Sequence, residues 1–437
     1  MFGIRIIIMP ELINNIVEVT GHNHDGVGTS TINNKKVLIP GSLIGETIKL
    51  KIIKNNAHQI SAEIDEILTV SAQRQTPECP HYGVCGGCQL QHMSYAYQLA
   101  LKQKIAEETL ASVAAQQPQM WLEPMPSNPT HYRRKARLSA KYVEKNKSIV
   151  VGFREQKSHF VTNSEVCMTL EKPMHRMPNQ LMGIFNKLSI KNKIPKVELA
   201  RGDEALSAII RVLDYPTVRD IDTMKEEFSS LGINASLLLN TKESLPLTHF
   251  KELYYSVDGV TIKFLPQDFI QVNSYINQFI IDKVIGYIRR YNSVQVLDLF
   301  SGLGNISLPV AKHVERILGV DVDFGLIARA KENAKNNNMM NLKFSVADLF
   351  KGRYPFFNNS WDTLIVDPPR SGAENVIQQI QLIDPNLIIY ISCNPGTFAR
   401  DARTLINYSG YTLVESQVAD MFPMTNHIEM ISIFEKR

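Results

Sequence analysis

Apolar and polar positions alternate in short runs over the first part of the chain. Ile16–Val19, Lys36–Ile39, Thr47–Ile53 and Gln59–Ile67 read as half-buried strands, separated by turn-forming clusters at Gly21–Gly28 and Pro40–Gly41. They predict an all-β unit from about Asn15 to Leu68, whose length fits a compact five-stranded barrel of a shape that often binds nucleic acid. The period then lengthens. Ser94–Ala115, rich in Ala, Leu, Gln, Glu and Lys, predicts a helix, and the proline-punctuated Gln116–Thr130 a connector. From His131 to about Gln267 the pattern is mixed, with a hairpin over Arg137–Val143 and Ile149–Phe153. A helix over Met174–Leu188 and strands near Lys196–Arg201 and Leu206–Val212 follow. Beyond this, buried strands at Val294–Leu299, Ile317–Asp321, Leu342–Val346, Thr363–Val366 and Leu387–Ser392 alternate with helices such as Ile306–Lys312 and Leu326–Asn337. That alternation predicts a doubly wound, Rossmann-like α/β domain. The expected architecture is therefore multidomain: a small β-barrel at 10–70, a mixed α/β domain at 71–270 and the doubly wound domain at 271–437.

Composition narrows the class. The chain has 437 residues, 44% hydrophobic and 21% charged, as in ordinary globular proteins. No apolar run approaches the roughly 18 residues of a membrane span. Ile4–Met9 is too short for a signal-peptide core, and Pro10 closes a leader with no expected structural role. A cytoplasmic protein with no membrane partner is the expectation. The net charge of +4 is uneven: His131–Phe160 carries +7, with Arg133, Lys135 and Arg137 at its start. A basic stripe on a nearly neutral chain suits a polyanion partner, although a solvated Lys-rich hairpin would look the same.

Val296-Leu-Asp-Leu-Phe-Ser-Gly-Leu-Gly-Asn305 runs a strand into a glycine turn that opens a helix. Gly302 and Gly304 would let the backbone pass close to a ligand, and Asp298 and Asn305 supply polar groups. Ser307 stands where the third glycine of a dinucleotide fingerprint would be, which argues against NAD. Asp321 ends the next strand, placed for ribose hydroxyls, Asp348 ends the third, placed for an adenine amino group, and Asp367 opens Asp-Pro-Pro-Arg after the fourth. Each alone is as well a strand-end cap; together they predict a nucleotide site. Over Val294–Arg437 the sequence resembles class I S-adenosylmethionine methyltransferases.

The five cysteines divide into four and one. Cys79, Cys85, Cys88 and Cys167 supply enough thiolates for a 4Fe–4S cluster or a zinc ion, and the missing second C-x2-4-C arm disfavours zinc. Cys393 ends the apolar run Leu387–Ser392 ahead of Pro395-Gly396, read as a turn. Alone it reads equally well as a small buried hydrophobe or as a nucleophile.

Ser392-Cys-Asn-Pro, Asp367-Pro-Pro-Arg, Gln271-Val-Asn and Asp420-Met-Phe-Pro-Met-Thr-Asn-His-Ile-Glu429 together resemble the RNA uridine-5-methyltransferase family through most of the chain. The resemblance implies that Cys393 is the nucleophile and Glu429 the base that removes the carbon 5 proton. It implies cofactor contacts at Gln271, Phe300, Asn305, Asp321, Asp348 and Asp367. Asp321 stands where a Glu is common, and Ser301 and Pro369 also depart from the nearest pattern. The Cys-x5-Cys-Gly-Gly-Cys spacing with Cys167 in the following domain implies an iron–sulfur cluster, expected to be structural, so that its loss disturbs RNA docking more than chemistry. The β unit resembles a TRAM domain. With the cluster, it implies a monomer acting on 23S ribosomal RNA, at the uridine conventionally numbered 1939. A transfer RNA enzyme of the same chemistry and an inactive RNA-binding iron–sulfur protein are the alternatives. Arg133, Lys135 and Arg137 are expected to hold phosphates, and Phe269 to stack on the target base, unless it is simply a core residue.

Overall fold

The computed structural model describes residues 15–239 and 243–437. The Ile4–Met9 stretch, Pro10 and the first residues of the 10–70 unit lie outside them.

The alternation Thr47-Ile-Lys-Leu-Lys puts Ile48 and Leu50 inside and Lys49 and Lys51 outside. Repeated along its neighbours, this pattern builds a six-stranded sheet around Val19, Val37, Ile39, Ile48 and Ile60. The sheet curls on itself: Thr20 N–H donates to Thr29 C=O (2.9 Å) and Ser30 Oγ to Glu18 C=O (2.7 Å) across its ends. Six strands stand where five were expected. Gly28–Ile32 pairs with Lys35–Ile39, and Gly21–His22 forms a short edge. Gly-Thr-Ser-Thr lacks the apolar residues that would have marked a strand; pairing on both sides overrides that weak propensity.

A second six-stranded sheet contains Glu243–Pro246, Asn234–Leu239, Leu206–Val212, Lys196–Arg201, Lys135–Val143 and Ser148–Gly152, in that order. Leu206–Val212 and Asn234–Leu239 are parallel. The crossover between them is the helix Val218–Ser230, started by a reciprocal Thr217–Asp220 capping box. Helix Met177–Asn186 completes the layer.

The third sheet has eight strands. Leu342–Val346, Arg316–Asp321, Gln295–Leu299, Thr363–Val366 and Leu387–Ser392 lie parallel in that order, followed by antiparallel Glu429–Lys436 and Tyr411–Ala419. All six residues of Leu387–Ser392 are buried, as parallel strands covered on both faces require. The outermost strand, Met120–Trp121, comes from far earlier in the chain. Helix Tyr95–Ala114 buries Gln98, Leu101, Lys102, Ile105 and Leu110 on one stripe, packed beside helix Pro395–Tyr408. Residues 95–121 thus belong to this layer in space. Pro395-Gly396 opens that helix instead of forming a turn: proline at the first helical position loses no needed N–H, and Asn394 caps the Gly396 N–H at 3.0 Å.

Candidate functional site

The strand order reverses between Gln295–Leu299 and Thr363–Val366, and doubly wound sheets bind ligands beyond the strand ends at such a point. Gly302 and Gly304 turn the chain there with φ of +53° and +84°, and nothing lies within 4 Å of where a Gly302 side chain would begin. Open space above a backbone turn is the cradle a nucleotide needs. Asp321 holds its rim, accepting from Gly302 N–H (3.0 Å) and Asp323 N–H (2.9 Å). Asp298 is buried inside its strand; Ser307 donates to one carboxylate oxygen while the other has no partner. Burial pushes its pKa up to about 7. Ser301 Oγ is likewise buried and unpartnered. A crevice with open backbone and orphaned polar atoms fits a polar ligand.

The other expected cofactor residues surround this crevice unevenly. Phe300 has a positive φ of 64° and tilts against Phe350 at 5.6 Å. Asp348 lies two residues past its strand, half-buried, caps Phe350 N–H (3.1 Å) and pairs with Lys351 (3.3 Å). Asn305 is engaged within the protein, accepting from Tyr255 (2.9 Å) and Asn277 (3.0 Å) and donating back to Asn277 (2.8 Å). Gln271 is half-buried in the 268–273 segment that leads into helix Ser274–Arg290. Arg133 bridges to Asn273 there, and Lys135 Nζ donates to Asp268 C=O. Phe269, in the same segment, is 70% exposed, which removes the core reading.

Strand pairing brings the ends that carry two further expected residues together. Leu387–Ser392 pairs antiparallel with Glu429–Lys436, Ser392 opposite Met430. The ladder ends there: the chain bends at Cys393, directly after Ser392, while Glu429 directly precedes Met430, so the two lie at adjoining strand ends, near enough for Glu429 to act on the thiol. Glu429 is 5% exposed, and burial, then neighbouring Asp367, drives its pKa well above the carboxylate range. Burial first, then Glu429 and Asp367, pushes the Cys393 thiol up to about 11, against a lowering by Arg370. Burial raises Asp367 to about 7. Cys393 opens into a cavity of about 340 Å³ shared with Arg370, Asn394 and His427. His427 is depressed to about 4 by burial and then by Arg370, and it is therefore neutral.

The loop that delivers His427 and Glu429 is anchored from outside. Lys102, 1% exposed, pairs with Asp420 (2.6 Å) and donates to Phe422 C=O (3.0 Å); Tyr95 donates to the other Asp420 oxygen (2.8 Å). Gln89 and Leu90 N–H both donate to Met424 C=O (3.0 Å each), and Met424 has a φ of +66°. Arg133 lies 5.7 Å from the Phe422 ring, which tilts on His427. Sequence reading missed Arg370, His427 and Lys102 as individuals. A lysine in the apolar stripe of Tyr95–Ala114 was the available signal for the last.

Cys79, Cys85, Cys88 and Cys167 line one small cavity, together with Phe153. Burial chiefly, and then Cys167, raises the thiols of Cys79, Cys85 and Cys88, the last to about 12. Among the described residues no three His, Cys, Asp or Glu side chains are gathered tightly enough for a single ion. Next to these cysteines lies a groove of about 860 Å³ lined by Arg137, Arg154, Lys157, Lys196 and Arg211; Glu155 is in the lining, and Glu198 pairs with Arg137 (3.1 Å) and Lys196 (2.9 Å).

Sheet order and crevice define a Rossmann-like methyltransferase fold, and a solved tRNA (uracil-54, C5)-methyltransferase from Pyrococcus abyssi, in complex with S-adenosyl-L-homocysteine, shares it. The two superpose with a TM-score of 0.73 over 96% of this chain and 99% of that one, at 23% identity. Residues 94–437 match the family model described as tRNA (Uracil-5-)-methyltransferase. A relative from Legionella pneumophila (strain Lens), named 23S rRNA (uracil(1939)-C(5))-methyltransferase RlmD, is 36% identical over 97% of this chain and 98% of its own. One from Xanthomonas axonopodis pv. citri, of the same name, is 37% identical over 96% of each. The chain belongs to this uracil-5-methyltransferase family.

Proposed function

We propose that the protein methylates carbon 5 of a uridine in 23S ribosomal RNA, with Cys393 as nucleophile and Glu429 as base. The observation that supports this is that Cys393 and the buried Glu429 lie at adjoining ends of two paired strands, with Asp367 beside both. S-adenosylmethionine, when bound, supplies an electrophilic methyl group. Gln271, Phe300, Asp321, Asp348 and Asp367 would hold it around the Gly302–Gly304 turn, with Asn305 supporting that turn. Carbon 5 of uracil is too weak a nucleophile to take the methyl unaided. Cys393 therefore adds as thiolate to carbon 6, and the displaced π electrons pass to oxygen 4 as an enolate. The Arg370 cation beside Cys393 favours the thiolate. Carbon 5 then takes the methyl group, and Glu429 in its ionised form, made a stronger base by the burial that raises its pKa, removes the carbon 5 proton. The electron pair released re-forms the double bond and expels Cys393 as thiolate.

The assembly around this centre suits RNA. The curled N-terminal sheet is read as a TRAM unit at 10–70, followed by a central domain at 71–270, of which residues 95–121 pack with the methyltransferase domain at 271–437. The four cysteines, which line one cavity, would hold a 4Fe–4S cluster; the missing second C-x2-4-C arm disfavours zinc. The groove beside Arg137 would track phosphates, with Arg133 and Lys135 nearer the catalytic end and Phe269 exposed to stack on the extruded base. The names of the relatives favour 23S over transfer RNA and nucleotide 1939 as the target. We read the protein as a cytoplasmic monomer; among the described residues no helix is long and apolar enough to cross a membrane. Methylation assays on transcribed 23S fragments and on transfer RNA decide the substrate. Labelling of the 23S fragment at one uridine supports the proposal, and labelling of transfer RNA alone would overturn its substrate half.

A further inference from the structure

The cavity onto which Cys393 opens is closed on one side by a segment from the opposite end of the chain. His24 and Asp25, between strands Gly21–His22 and Gly28–Ile32, line it together with Arg370 and Asn426. Nothing in the catalytic mechanism uses them.

The loop is built to hold this place. Asn23 Oδ1 accepts from Asp25 N–H (3.0 Å) and Val27 N–H (2.9 Å), and Gly26 N–H donates to Asn23 C=O (2.9 Å). Gly26 has a φ of +72° and lies so close to Leu90 that a side chain would start 3.2 Å from Leu90 Cδ2. His22 fixes the entry, its ring edge-on to Tyr97 at 6.0 Å and its Nε2 3.2 Å from Ser42 C=O. The base of the loop is thus docked on the helix Tyr95–Ala114, while its tip is free. The His24 and Asp25 side chains are 80% and 56% exposed, with His24 Nε2 3.4 Å from Asp25 Oδ2.

The chemistry of this wall differs from that of the basic groove. A phosphate track needs cations throughout. Here a carboxylate faces the cavity beside amide groups and one arginine, a mixture of acceptors and donors that suits base edges. A carboxylate repels phosphate and accepts from exocyclic amino groups, which adenine, cytosine and guanine have and uracil lacks. We infer that Asp25, oriented by His24, reads the amino group of a base neighbouring the methylated uridine, so that the N-terminal unit sets sequence preference at the catalytic cavity itself. This rests on the RNA methylation reading above.

The test uses the full-length protein and 23S fragments in which each nucleotide flanking the target uridine is changed in turn to uridine. At one flank the unmodified protein should prefer the amino-bearing base by about 5- to 150-fold in kcat/KM. Asp25→Ala should lose that preference, converging on the value for the uridine-flanked RNA, with an unchanged slope of affinity against salt. An unchanged melting temperature would show that the loop still folds, and His24→Ala should weaken the preference in the same direction. Equal rates on every flank by an active protein would overturn this inference alone. So would a preference that survives Asp25→Ala, or a salt slope altered as if a phosphate contact had changed. Absence of methyl transfer to any RNA would remove the catalytic reading and this inference together.

Discussion

Cys393 and Glu429 lie at the adjoining ends of two antiparallel strands, and their closeness makes separable predictions for each. Glu429→Gln should still form the carbon 6 adduct but be slowed in its release by about 10²- to 10⁴-fold, the range of general base catalysis. The measurement is adduct accumulation with unmodified RNA on a denaturing gel. The thiol, raised to about 11, ties the first step to pH. Adduct formation should quicken nearly tenfold per pH unit between about pH 7 and 9, in proportion to thiolate. Arg370→Gln, which removes the lowering charge, should slow it several-fold at pH 7. Asp298 makes a stability prediction. Its folded pKa of about 7 exceeds the ordinary 3.8, so the folded chain keeps a proton that the unfolded chain has lost. That stabilisation is complete below about pH 4 and gone above about pH 7. Asp298→Asn, which needs no proton and still accepts from Ser307, should melt higher than the unmodified protein at pH 8, on the order of 5 °C. The gap should close toward pH 4, as followed by thermal denaturation. Cys393 was visible in the sequence as an odd thiol at a strand tip. Its partner was not, because closeness at the ends of an antiparallel pair depends on register, and the 35 residues between them do not encode it.

At the scale of elements, the loop from Asp420 to Ile428 matters most, because it positions Glu429 and is itself held by the helix Tyr95–Ala114. Lys102→Met leaves Asp420 buried without its cation, a loss of about 3–5 kcal/mol. Chemical denaturation should show this, and single-turnover methylation should fall more than RNA affinity, since the disturbed loop bears the base. Patterning identified the helix and its apolar stripe. It placed Lys102 on that stripe but gave its charge no partner, because Asp420 and the Phe422 carbonyl come from more than 300 residues further along the chain. The Gly28–Ile32 strand was missed for a related reason: its small polar residues are held by two neighbours and by little of their own propensity.

In the whole molecule, domains separated in sequence share one active region. The alternating strands made the doubly wound layer legible, but residues 95–121 join that layer from well before its sequence boundary, because the helix needs an apolar partner that Pro395–Tyr408 supplies. The same continuity revises the expected effect of the cysteine site. The residues directly after Cys88 hydrogen-bond to Met424 in the catalytic loop, so the site is tied to chemistry as well as to the basic groove. Cys85→Ser should lower both RNA affinity and the adduct rate at saturating RNA. Hydrogen exchange should also quicken at the 424–429 segment, a readout independent of turnover.

The covalent step is the centre of this account, and trapping tests it directly. Incubation with S-adenosylmethionine and a 23S fragment carrying 5-fluorouridine puts fluorine where Glu429 would remove a proton, so the adduct cannot resolve. The expected result is a denaturant-stable protein–RNA complex whose cross-linked peptide contains Cys393, absent in Cys393→Ala and retained in Glu429→Gln. Active protein that methylates ordinary RNA but forms no such complex, or forms it through another residue, would contradict the mechanism.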